Sequence, residues 1–141
     1  MSSVLNFTFN SPTSVTDAVA ARSANPEARY IAGGTDLMPN LRRGIGSPDQ
    51  LIGLDGIEEL KRISETDSHV VIGAGVTLAD LQQTDLVKRF GALGAVGEVA
   101  GPGLREAATL GGNLCLDTRC VFYNQSKCLR HANNYFLNLD C

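Results

Sequence analysis

Two stretches of this chain carry residue types that could do chemistry. One is Ile31-Ala32-Gly33-Gly34-Thr35-Asp36-Leu37; the other, far downstream, is Thr109-Leu110-Gly111-Gly112-Asn113-Leu114. Each reads as an apolar approach, two adjacent glycines, and then polar side chains. Paired glycines remove two Cβ atoms and permit positive φ, so the backbone can lie directly against a ligand. The amides of such a turn, followed by a helix N-terminus, form a natural anion site. Asp36 or Thr35 is placed to cap the helix that follows the first turn. A single Gly-Gly is most often just a tight turn. Two such turns, each with a hydroxyl, point to one ligand with two phosphates held from two sides.

The cysteines are the other candidates for chemistry. All four, at 115, 120, 128 and 141, lie in the last fifth of the chain. In a reducing compartment, clustered cysteines favour metal or redox chemistry over a disulfide scaffold. No Cys-x2-Cys pair occurs, so the common zinc spacings are missing. A metal-binding module is therefore the rival reading, and a fragment that binds nothing by itself is the other. Cys115 reads as a small buried hydrophobe; for Cys128 both readings stay open.

The elements that must position these residues are short. Phe7 and Phe9 alternate with polar neighbours, as in an edge strand. An amphipathic helix is expected over 14–24, and a strand over 28–32 delivers the first glycine turn. A helix over 36–43 ends in Arg42 and Arg43, where cations suit the helix dipole. Residues 50–54 form a compact apolar strand, 57–60 one helical turn, and 61–63 and 70–74 paired strands. Thr77 caps a helix over 78–83. A longer helix is expected over 86–100, with Val87, Phe90, Leu93, Val96 and Val99 as a core-facing stripe. Gly101-Pro102-Gly103 breaks it. Gly73-Ala74-Gly75 reads as a strand-end turn. A Gly-x-Gly-x-x-Gly fingerprint with its ribose-binding acid is lacking. Short strands alternating irregularly with helices favour a mixed α/β or α+β domain over a doubly wound sheet.

Composition bounds the function. The chain has 141 residues, 43% hydrophobic content and a formal net charge of −3, so it carries no basic footprint for nucleic acid. No apolar run reaches membrane-spanning length. The first residues lack a basic n-region and an apolar core, which points to a cytoplasmic protein.

The paired motifs, including Gly101-Pro102 and Arg105 just before the second, resemble those of the FAD-binding (medium) subunits of the molybdenum hydroxylase family, which includes xanthine dehydrogenase and carbon monoxide dehydrogenase. Gly101 and Glu106 stand where relatives often have serine and asparagine. Residues 112–126 are similar to the β subunit of 4-hydroxybenzoyl-CoA reductase, whose inserted segment carries a [4Fe–4S] cluster. The resemblance implies an α+β fold: the N-terminal part of a two-lobed FAD-binding domain, with one lobe over 1–55, the start of a second over 56–114, and a truncated cysteine-containing insertion over 115–141. It implies FAD as cofactor, bound by 31–37, Gly101 and 109–113. It also implies a molybdopterin-binding large subunit and a [2Fe–2S] small subunit as partners, electron transfer as the role, and an aromatic acyl-CoA as substrate of the complex.

Cys120 and Cys141 match cluster ligands in that branch, and Cys128 is a weaker candidate. Phe136 falls at another ligand position and offers no lone pair. A stable [4Fe–4S] cluster is therefore not expected in this chain, although it is in full-length relatives. Valine at Gly33 or Gly111 is expected to abolish flavin binding while folding largely survives.

Overall fold

The computed structural model describes residues 6–116. Its first lobe is a three-stranded parallel sheet in the order β1 (Thr8–Asn10), β3 (Gln50–Gly53), β2 (Arg29–Ile31). The near-continuous apolar run of β3 is the signature of a strand covered on both faces. It takes the central place, with Leu51 and Ile52 buried. β1 is an edge strand, as its alternation predicted, paired in the register Thr8 with Gln50. Helix α1 (Val15–Ala24) starts where the Ser14 hydroxyl accepts from the Asp17 amide. It packs Ala18 into a cluster with Ala28, Ile52 and Ile57. Helix α2 (Leu37–Arg42) follows the first glycine turn.

A 3-10 turn (Glu58–Lys61) leads into the second lobe. Here β4 (Ile63–Glu65) and β5 (Val70–Ile72) pair as expected, in antiparallel fashion, with the first strand beginning two residues later than the expected 61–63. Helix α3 (Leu78–Gln82) is capped by the Thr77 hydroxyl, as predicted. Val76, Leu78, Leu81, Leu86, Val96 and Ala108 make the core of this lobe.

The long helix expected over 86–100 does not form. In its place are α4 (Leu86–Arg89), α5 (Gly91–Gly94) and a 3-10 turn (Ala95–Glu98). Gly91, Gly94 and Gly97 each disfavour helix by about 1 kcal/mol relative to alanine. Phe90 is extended at φ −116°, ψ 98°. The predicted stripe divides accordingly: Leu93 and Val96 join the core, while Phe90 and Val99 stay exposed. Arg89 pairs with Glu65 at 2.6 Å, tying α4 to β4. That hydrogen bond holds the Glu65 carboxyl below the usual carboxylate range. Helices α6 (Pro102–Arg105) and α7 (Leu110–Leu114) complete the described chain. Among the described residues no helix is long and apolar enough to cross a membrane.

A cleft between two glycine turns

The first turn begins where β2 ends. The Ile31 carbonyl accepts from the Leu54 amide at 2.9 Å, which pins the strand end to the chain leaving β3. Gly34 has φ +67°, a conformation ordinary side chains adopt only with strain. Its carbonyl accepts from the Met38 amide and so opens α2. Among the described residues, the amides of Gly33, Gly34 and Thr35 have no acceptor. The cap position falls to Asp36, whose carboxylate makes no capping bond. Its Oδ2 instead accepts from Nδ2 of buried Asn40 at 3.0 Å.

The second turn differs in its hydrogen-bond accounting. Leu110 donates to the Val76 carbonyl and Gly111 to the Ala74 carbonyl, each at 2.8 Å. Gly112 donates to the Thr109 hydroxyl at 3.1 Å, and Asn113 to the Thr109 carbonyl at 3.0 Å. Asn113 Nδ2 also donates to that carbonyl, at 2.8 Å. Every amide from 110 to 113 is therefore used within the protein. Thr109 is the N-cap of α7 and is buried. Thr109→Val is expected to cost about 1 kcal/mol of stability through the lost cap. Thr109→Ser should cost much less. Denaturant unfolding of the two variants checks this.

The glycines also permit close packing, between the two lobes at Gly33 and within the second lobe at Gly111. A Cβ on Gly33 would run into the carbonyl of Ala107. A Cβ on Gly111 would lie 2.6 Å from the Ala74 Cβ and 2.9 Å from its carbonyl oxygen. Backbone meets backbone at both turns, so both are structural junctions as well as candidate binding elements. The expectation that valine at Gly33 or Gly111 leaves folding largely intact does not fit this geometry.

Between the turns opens a cleft of about 1370 Å³. That exceeds the roughly 300–1,000 Å³ of drug-sized ligand pockets and suits a dinucleotide. Ile31, Ala32, Gly33, Gly34, Thr35, Asp36, Leu37, Thr109, Gly111, Gly112 and Asn113 all line it. Gly101 and Leu110 do not. Gly101 begins α6 with open space around it, and Leu110 packs on the second-lobe core. The lining residues include three cations (Arg29, Arg43 and Lys61) and four carboxylates (Glu27, Asp36, Asp55 and Glu106). The side-chain charge of the lining is thus nearly balanced.

Sequence reading missed Tyr30, Arg43, Ala74 and Ala107 as cleft residues. Arg43 carried a signal, as the cation ending α2, but it was read only as a dipole partner. Ala74 and Ala107 carry none. Cys115 is exposed at the cleft edge rather than buried, because α7 ends at Leu114 and leaves its side chain outside both cores. Cys120, Cys128 and Cys141 lie outside the described residues. Among the described residues no group of three or more His, Cys, Asp or Glu side chains is placed to hold a metal.

The pattern of the FAD binding domain in molybdopterin dehydrogenase matches residues 5–121. The chain is 34% identical over 111 residues to the carbon monoxide dehydrogenase medium chain of Hydrogenophaga pseudoflava, covering 77% of this chain and 39% of that one. It is 39% identical over 113 residues to the aldehyde oxidoreductase FAD-binding subunit of Escherichia coli (strain K12), covering 77% and 35%. The solved carbon monoxide dehydrogenase of Hydrogenophaga pseudoflava superposes with a TM-score of 0.75 at 32% identity, covering 81% of this chain and 40% of that one. Quinoline 2-oxidoreductase from Pseudomonas putida 86 gives 0.73 at 29%, covering 81% and 40%. The chain thus spans about two fifths of the length of these relatives.

Proposed function

Because this chain belongs to the family of FAD-binding domains of molybdopterin dehydrogenases, we propose that it holds FAD in the cleft between its two glycine turns and serves electron transfer in a molybdenum-containing oxidoreductase. The observation that carries this reading is the set of acceptor-free amides at Gly33, Gly34 and Thr35, three residues that line the cleft together with Thr109 and Asn113. Those amides hold the diphosphate. The second turn, its own amides consumed, forms the facing wall through the Asn113 side chain and the bare Cα atoms of Gly111 and Gly112. FAD, when bound, supplies the redox chemistry, and the protein supplies binding, orientation and exclusion of water. No residue is assigned as general acid or base.

The partners that fit this role are a molybdopterin-binding large subunit and a [2Fe–2S] small subunit, in the cytoplasm. The likeness of residues 112–126 to the 4-hydroxybenzoyl-CoA reductase β subunit supports an aromatic acyl-CoA as the substrate of the assembled enzyme. The cysteines at 120, 128 and 141 do not hold a stable [4Fe–4S] cluster in this chain, since Phe136 takes a ligand position.

The test is titration of FAD, FMN and riboflavin into the purified chain, alone and co-expressed with its large and small subunits, read by flavin fluorescence. FAD is expected to bind at least about tenfold more tightly than riboflavin, a difference of about 1.4 kcal/mol. Equal affinities for FAD and riboflavin would refute the diphosphate cradle.

A further inference from the structure

Ala100 has φ +56°, the left-handed region, which is unusual for a residue with a Cβ. The cause is next to it. Pro102 pushes Gly101 into extended backbone, at φ −75°, ψ 159°, so the chain must reverse at Ala100. One side chain holds this reversal: Nη1 of Arg105 donates to the Ala100 carbonyl at 2.7 Å and lies 3.5 Å from the Val99 carbonyl. A guanidinium bridging two successive carbonyls fixes both peptide planes.

The segment that this contact closes leads straight to the site. The Gly101 carbonyl accepts from the amides of Leu104 and Arg105, and the Leu104 carbonyl accepts from those of Ala107 and Ala108. Ala107 then presents its carbonyl to Gly33. The Ala108 carbonyl accepts from the Leu78 amide at 2.8 Å, and Leu110 and Gly111 are tied to Val76 and Ala74. The far end of the segment is thus anchored by a ladder, and the near end by Arg105. Arg105 does not line the cleft, so it does not touch a ligand there.

We propose that Arg105 is a positioning residue for the flavin site, an inference that rests on the FAD reading above. By holding Ala100 in its left-handed turn, it sets where the Ala107 carbonyl meets Gly33, and so how the two glycine turns face each other. Its role passes through the backbone of 100–107 and requires the strain at Ala100. Glycine at position 100 adopts the same conformation without that strain and makes the clamp largely dispensable.

The experiment is a double-mutant cycle on Arg105→Ala and Ala100→Gly, with Arg105→Lys alongside. FAD affinity is measured together with hydrogen exchange at Leu78, Leu110 and Gly111. Arg105→Ala is expected to weaken FAD about tenfold and to speed exchange of those three amides, with the midpoint of global unfolding little moved. Arg105→Lys keeps one donor and regains part of both. Adding Ala100→Gly to Arg105→Ala regains most of both, which a generic loss of stability would not do. An equal loss with and without Ala100→Gly overturns the proposal, as does an Arg105→Ala variant that changes neither readout. Where Arg105→Ala fails to fold, the double variant decides: folding with parental exchange supports the role, and failure refutes it. Absence of FAD binding by the unsubstituted chain would refute the FAD reading alone, because the exchange data judge Arg105 without flavin.

Discussion

Gly33→Ala is expected to destabilise the fold by about 3 kcal/mol, the upper end of the range for overpacking, and to abolish flavin binding with it. One added methyl group suffices, because it meets the Ala107 carbonyl and not the tip of a movable side chain. Ala107 has little room to retreat. The next residue is bonded to Leu78, and Ala107 itself donates to Leu104. The first turn cannot retreat either, since the Ile31 carbonyl before it is bonded to Leu54 and α2 starts four residues after it. The strain must be met by parting the two lobes along the cleft. Against a total stability of roughly 5–15 kcal/mol, the loss is large. Gly33→Val should be at least as harmful. Gly101→Ala is the control, as no atom lies within 4 Å of its Cβ position; its stability should change by no more than about 0.5 kcal/mol, with flavin affinity unchanged. Denaturant midpoints and flavin titration of the three variants check this. A Gly33→Ala protein that unfolds at the parental denaturant concentration would show that the lobes do not meet here.

The contrast between Gly33 and Gly101 marks where sequence reading succeeds and where it stops. Gly33 is legible as a binding residue from its own double glycine, whereas Gly101 enters only through the family resemblance and lies outside the cleft. The two turns, the apolar run of β3, the helix start at Ser14 and the cap at Thr77 were legible because each is a local signal. A hydroxyl two or three residues before an amide, or four apolar residues between breakers, needs no knowledge of the rest of the chain. What Gly33 packs against was not legible, since Ala107 is remote in sequence and alanine announces nothing. Helix 86–100 was misread for another reason: its apolar spacing is genuinely helical, but three glycines and the extended Phe90 break the backbone beneath it. Cys115 was misjudged because the average burial of free cysteine says nothing about a residue that follows the last turn of a helix. The amide census was out of reach for the same reason as the Ala107 contact: the acceptors for Leu110 and Gly111 lie on the 74–76 segment.

That census assigns the second turn a different part from the first and leads to a further expected result. Gly111→Ala should destabilise the protein by about 2 kcal/mol, and Ala74→Gly should return roughly half of that loss in the double variant. The added Cβ on Gly111 would lie 2.6 Å from the Cβ of Ala74, 2.9 Å from its carbonyl oxygen and 3.1 Å from its Cα. Removing the Ala74 side chain relieves the first contact, but the backbone atoms stay where they are. Relief can only be partial, because the Gly111 amide must keep its 2.8 Å bond to that same carbonyl. Ala74→Gly alone should cost under about 1 kcal/mol, as glycine adds freedom to the unfolded chain. The two substitutions are therefore non-additive, with a coupling of about 1–2 kcal/mol in the stabilising direction, within the range for residues in contact. Denaturant unfolding of the four proteins in the cycle measures it. Strict additivity would show that Gly111 does not pack on Ala74, and would return the second double glycine to the role first read from the sequence, direct approach to the ligand.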